Sequence, residues 1–111
     1  MTTGRILGNT YVLNGIAANV STYRADSSAD IYYEVVRLFD NRIPFLADHL
    51  DRLVNSLSGS GVAYPGDRII IENLRILISE NDLTIGNIRI CIQKTPEKDP
   101  DLICYFVPYV Y

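Results

Sequence analysis

Three arginines sit among apolar neighbours in this chain: Arg37 in VVRLF, Arg52 in HLDRL and Arg89 in NIRI. A guanidinium is a permanently charged planar fork that grips a carboxylate or a phosphate through two parallel hydrogen bonds. For Arg37 and Arg52 the question is whether they are ordinary surface charges or hold such a group. The rest of the inventory offers no catalysis by itself. His49 is the single histidine, and nothing near it in the sequence makes a catalytic pair. A structural hydrogen bond is the expected role for its ring. The two lysines, Lys94 and Lys98, both fall in KTPEKDPD, a charged run with two prolines that reads as an exposed loop. A catalytic lysine needs a buried site that lowers its pKa, and this loop offers none. There is no nucleophile elbow, no glycine loop that could cradle a phosphate and no cluster with metal-ligand spacing. We expect no catalytic residue and no metal site. For Arg52 the sequence also offers a plain partner, Asp48, one helical turn earlier. Such a surface pair is worth only about 0.3–0.5 kcal/mol.

The elements that must position these groups follow from periodicity. Thr10 to Leu13 is a short β-rich run ending in Asn14-Gly15, the strongest short hairpin signal, and Ile16 to Val20 returns. Residues 21–30 are polar and read as a loop. Ile31 to Phe39 alternates, with Tyr33, Val35, Arg37 and Phe39 on one face and Tyr32, Glu34, Val36 and Leu38 on the other. Asp40-Asn41 turns, and Ile43 to Phe45 is expected to pair back at an edge because of Pro44. Leu46, Leu50, Leu53, Val54 and Leu57 mark one face of a helix over 46–58, stopped by Gly59 and Gly61. Asp67 is the expected cap of a second helix reaching Asn81. Gly86 to Gln93 and Leu102 to Val107 are strands. In the first of them Ile88, Ile90 and Ile92 oppose Asn87, Arg89, Cys91 and Gln93. The order β-β-β-β-α-α-β-β predicts an α+β domain, an antiparallel sheet with two helices packed on it.

Composition fits that design. The chain has 111 residues, 48% hydrophobic and 21% charged, with a net charge of −3, which suits one small domain with a core. The acidic balance argues against a nucleic-acid module. No apolar run is long enough to span a membrane, and MTTGRILGNT lacks a signal peptide's apolar core. Cys91 and Cys104 read as buried reduced thiols of a cytoplasmic protein, with a cross-strand disulfide as the other option.

Four stretches in this order resemble a known family: YVLNG (11–15), YEVVRLFDNRIPFL (33–46), HLDRLVNSLSGSGV (49–62) and NDLTIGNIRICI (81–92). Together they are similar to the small N-terminal domain of the class IV aminotransferases. That family comprises fold type IV pyridoxal-phosphate enzymes, including branched-chain and D-amino acid aminotransferases and aminodeoxychorismate lyase. The resemblance covers nearly all of residues 1–111, as a single domain. It implies that Arg52 binds the phosphate of pyridoxal 5'-phosphate. It also implies that Tyr33, Val35 and Arg37 face the substrate pocket, and that Arg89 occupies a position some relatives use for a substrate carboxylate. Tyr-Glu-Val-Val-Arg is closer to the transaminases than to the lyase. SSADIYYE departs from the pattern, lacking the glycine that relatives often carry before the aromatic-Glu pair.

The family's chemistry needs a lysine that holds the cofactor covalently, and in relatives it lies in a larger C-terminal domain. The chain closes on FVPYVY, which reads as a domain boundary or a cut end. Two functions follow as expectations. One is the N-terminal domain of such an enzyme, acting on an amino acid or keto acid, inactive alone and completed by the missing C-terminal domain or as a homodimer. The other is a stand-alone binding or oligomerisation module derived from that domain.

Overall fold

The computed structural model describes residues 6–108. Its elements are β1 (Leu7–Leu13), β2 (Ile16–Asn19), β3 (Asp30–Leu38), α1 (Leu46–Leu57), α2 (Asp67–Asn81), β4 (Gly86–Lys94) and β5 (Asp101–Val107), with one 3-10 turn at Val20–Thr22. The strands form one antiparallel sheet in the order β2-β1-β5-β4-β3. The architecture is α+β, as the pattern of elements predicts. β3 is an edge strand.

Two tight turns set the register. Asn14 (φ 51°) and Gly15 (φ 83°) join β1 to β2 in left-handed geometry that suits the twist of a hairpin. Asp40 (φ 51°) and Asn41 (φ 62°) repeat that geometry after β3. There Phe39 and Arg42 exchange two backbone hydrogen bonds, of 2.8 and 3.0 Å. The expected return strand at 43–45 does not form. It shrinks to the single Phe39–Arg42 bridge, because Pro44 has no N–H to extend a ladder and the chain turns at once into α1. The second helix also starts differently. Gly66, at φ 107°, takes the cap position, and Asp67 is the first helical residue. Its carboxylate accepts from the Tyr64 hydroxyl at 2.5 Å rather than capping a backbone N–H. Gly59 and Gly61, both at φ 79°, follow α1 as expected.

Both helices cover one face of the sheet. Leu50, Leu53 and Leu57 of α1 and Ile70, Leu74 and Leu77 of α2 meet Val36, Leu38, Ile88, Ile90, Ile92, Cys104 and Phe106 from the strands. The opposite face carries a smaller apolar layer of Tyr11, Cys91, Ile103, Tyr105 and Val107, against which Val20 and Tyr23 pack. The two cysteines lie on different faces: Cys91 pairs with Ile103 in register and Cys104 with Ile90. Both are free, and a disulfide between them is excluded by the direction of their side chains.

Two asparagines tie helix α2 to the sheet. Asn81 Oδ1 accepts from the N–H groups of Asn9 (2.9 Å) and Thr10 (3.1 Å), and its Nδ2 donates to the carbonyls of Thr10 (2.9 Å) and Leu77 (3.0 Å). These bonds fall where the β1–β5 register shifts between Leu7 and Val12. Asn73, only 3% exposed, accepts from Gly15 N–H at 2.8 Å and donates to the Ile69 carbonyl at 2.8 Å.

Burial raises the proton affinity of five acids. The Cys91 and Cys104 thiols lie above their ordinary value of 9.0, and the Tyr23, Tyr64 and Tyr105 phenols above 10.0, with desolvation the first cause in each. A folded pKa above the unfolded one gives stability that is intact below the unfolded pKa and is lost as pH rises past it. The urea midpoint should therefore fall as pH rises from about 8 to about 11, and Cys104→Ala should flatten part of that slope. A midpoint constant across that window contradicts this account.

Candidate functional site

Helix α1 turns Leu50, Leu53 and Leu57 into the core, which leaves His49 and Arg52 together on the flank that meets β3. Glu34 points to them. Alternation places it on the same side of β3 as Val36 and Leu38, in the half of the strand that α1 covers. Its Oε2 is the hub of the cluster. Arg52 Nε donates to it at 3.0 Å and Arg52 Nη2 lies 2.8 Å away, while His49 Nδ1 stands at 2.7 Å. His49 Nδ1 is also 2.8 Å from Arg52 Nη2. The side chains of His49 and Glu34 are 19% and 17% exposed, against 61% for Arg52. Two members are thus fixed in the helix–sheet seam, and the third carries its charge outward. Arg52 pairs with Glu34 across the fold, in place of the local Asp48 pair open to it on the helix.

Tyr33, Val35, Arg37 and Arg89 lie together on the opposite face. Val35 pairs with Arg89 and Arg37 with Asn87 in the β3–β4 register. The Arg89 guanidinium carbon sits 4.0 Å from the centroid of the Tyr33 ring, a cation–π contact. Arg37 Nη1 donates to Asn87 Oδ1 at 3.3 Å. Arg89 Nε is buried with no hydrogen-bond partner among the described residues, which is costly for a charged donor. Behind it Tyr11, Tyr23 and Tyr105 meet edge to face, with centroids 5.3 and 5.7 Å apart. The Cys91 sulfur is 3.8 Å from the Tyr105 hydroxyl. Burial pushes that thiol up, and the Arg89 charge offsets part of the rise.

The structure therefore brings four of the five candidate residues to one face and sets Arg52 on the other. β3, an edge strand, links the two sets: it carries Tyr33, Val35 and Arg37 on one face and Glu34, the partner of Arg52, on the other. Sequence reasoning does not single out Glu34 as a site residue, although its place beside Val36 and Leu38 signals a buried charge in want of a partner. A cavity of about 510 Å³ lies elsewhere, lined by Asn14, Gly15, Ile69, Asn73, Ile92 and Leu102 among others, and contains none of the candidates.

Both lysines have partners in the 94–101 loop. Lys94 Nζ donates to the Thr95 carbonyl at 2.7 Å, and Lys98 lies 3.6 Å from Asp101. Among the described residues no group of three His, Cys, Asp or Glu side chains could hold a metal ion. No helix there is long and apolar enough to cross a membrane.

No protein-family model matches the chain, and no curated protein matches it. Solved structures do. A branched-chain amino acid aminotransferase from Escherichia coli superposes with a TM-score of 0.79 at 17% identity, over 93% of this chain and 42% of that one. The T.th. branched-chain enzyme, complexed with N-(5'-phosphopyridoxyl)-L-glutamate, gives 0.79 at 14% identity over 95% and 42%. The Thermobaculum terrenum enzyme in its PLP form gives 0.68 at 16% identity over 96% and 42%. The chain thus spans about two-fifths of the length of these proteins. At such identities the likeness is one of fold, and the resemblance carried by the four stretches extends to it: this chain has the fold of a part of the branched-chain amino acid aminotransferases.

Proposed function

We propose that this chain is the N-terminal domain of a class IV aminotransferase-like enzyme that uses pyridoxal 5'-phosphate to transfer amino groups between amino acids and keto acids. Arg52 binds the cofactor phosphate, and Tyr33, Val35, Arg37 and Arg89 form one wall of the substrate pocket. The observation that carries this is Arg52 itself, a guanidinium held by an ion pair on an aminotransferase fold, with its side chain 61% exposed. Glu34 takes the Nε side of the fork, so the pair of protons along the Nη1–Nη2 edge remains for a bidentate anion. The residues present fit a phosphate ester in this way. They do not fit its covalent attachment, since Lys94 and Lys98 are engaged in the 94–101 loop. The cofactor supplies the electron sink for amino-group chemistry, and the lysine that attaches it belongs to a further domain. The whole enzyme is cytoplasmic and homodimeric in this proposal.

The test uses ligands that differ only in the phosphate. Pyridoxamine 5'-phosphate titrated into the 15N-labelled chain should shift the amides of residues 33–35 and 49–53, and pyridoxamine should not. Equal shifts from both, or none from either, reject phosphate recognition at Arg52.

A second reading has its own support. Ile31, Tyr33, Val35 and Phe39 are exposed apolar side chains along the edge strand, a surface that favours association. A stand-alone oligomerisation module would self-associate in sedimentation and ignore both pyridoxamine ligands. A lyase of the aminodeoxychorismate type would share the phosphate response and differ in the reaction of the complete enzyme.

A further inference from the structure

Three nitrogen atoms crowd one oxygen in the Glu34–His49–Arg52 cluster, and their protons cannot be arranged freely. Nδ1 of His49 lies 2.7 Å from Glu34 Oε2 and 2.8 Å from Arg52 Nη2. A lone pair on Nδ1 would face the carboxylate oxygen at 2.7 Å, two acceptors in contact. A proton on Nδ1 instead donates to Oε2, and the Arg52 contact becomes a close approach of two donors to one shared acceptor. Charge-assisted hydrogen bonds of this length favour the second arrangement. Ring orientation then follows, because the His49 backbone N–H is bound to the Phe45 carbonyl at 3.0 Å and its side chain is largely enclosed.

We infer that Glu34 and His49 are positioning residues that hold Arg52 as a one-sided anion receptor. His49 donates through Nδ1 and fixes the Glu34 carboxylate. Glu34 clamps the Nε side of the Arg52 fork. The exposed guanidinium is thereby kept in one orientation, with its Nη1–Nη2 edge outward. An arginine that is 61% exposed would otherwise sample many rotamers and lose that freedom on binding. This inference rests on the assignment of Arg52 as the phosphate ligand and adds how the site is preorganised.

The experiment separates positioning from charge. Removing a carboxylate beside an anion site raises anion affinity if charge alone matters. Positioning requires the opposite. Glu34→Leu should therefore weaken binding of pyridoxamine 5'-phosphate about tenfold, although the chain becomes more positive. Glu34→Gln, which keeps an acceptor oxygen, should retain most of the affinity. At position 49, Asn places its amide nitrogen where Nδ1 stood, so His49→Asn should preserve binding and His49→Leu should not. Circular dichroism and urea midpoints show which variants fold. Independently of any ligand, long-range 15N spectra of the unaltered chain should find the Nδ1 proton on His49. Tighter binding by Glu34→Leu, or a His49 ring with its lone pair on Nδ1, overturns the inference. If Arg52→Ala binds as well as the unaltered chain while the His49 proton is on Nδ1, the phosphate assignment fails and the local hydrogen-bond arrangement stands.

Discussion

Replacing Arg52 with alanine should reduce affinity for pyridoxamine 5'-phosphate by about ten- to one-hundredfold. The size follows from the bonds that are lost. A hydrogen bond to a charged group is worth about 1.5–3 kcal/mol net, and about 1.4 kcal/mol corresponds to tenfold in affinity. The side chain is exposed, which screens the interaction and keeps the expectation at the lower end of what a buried pair would give. Arg52→Lys should recover only part of the loss, because an ammonium keeps the charge without the planar fork. Fold stability should change little in either variant, since the Arg52 side of the pair is exposed and the Glu34 carboxylate keeps its contact with His49. Isothermal titration beside urea unfolding reads both quantities. Loss of affinity equal in Arg52→Ala and in a surface control such as Arg68→Ala would remove Arg52 from the site.

The largest effect on stability should come from Asn81→Leu. This side chain makes four hydrogen bonds, three of them to the irregular stretch of β1. A leucine of similar size leaves the Thr10 N–H and carbonyl facing an apolar group in a part-buried place. Each stranded group costs about 1–3 kcal/mol, so the two together cost about 2–6 kcal/mol. With a urea slope of about 1–3 kcal/mol per molar for a small domain, the midpoint should drop by at least about 0.7 M. Amide exchange at Asn9 and Thr10 should accelerate more than at Ile90 in the middle of the sheet. A midpoint within about 0.2 M of the unaltered chain would show that water replaces Asn81 without loss.

Sequence periodicity foretells most of the frame because burial imposes it. Ile88, Ile90 and Ile92 fall on the helix side of β4, and Leu50, Leu53 and Leu57 line the inner face of α1, as spacing alone demands. Asn14-Gly15 and Asp40-Asn41 mark their turns because few residues accept positive φ. What pattern misses is long-range polar pairing. Asn73 and Asn81 look like ordinary polar residues of a helix, and their partners lie 58 and 71 positions away. The same holds for the candidate site. The family resemblance of HLDRL is what suggests Arg52 as an anion ligand, while its neighbours in sequence suggest a plain pair with Asp48. Only the packing of α1 on β3 brings Glu34 within reach. The expected strand at 43–45 fails for a local reason, since Pro44 stops a ladder that Ile43 and Phe45 would otherwise suit.

The sheet is also a partition with one thiol on each side. Cys104 lies beneath both helices and Cys91 under the tyrosines of the other face, with nothing but backbone between the two layers. A small alkylating reagent can therefore time two separate events in one molecule. Labelling of Cys104 clocks the lifting of the helical layer, and labelling of Cys91 clocks the opening of the tyrosine layer.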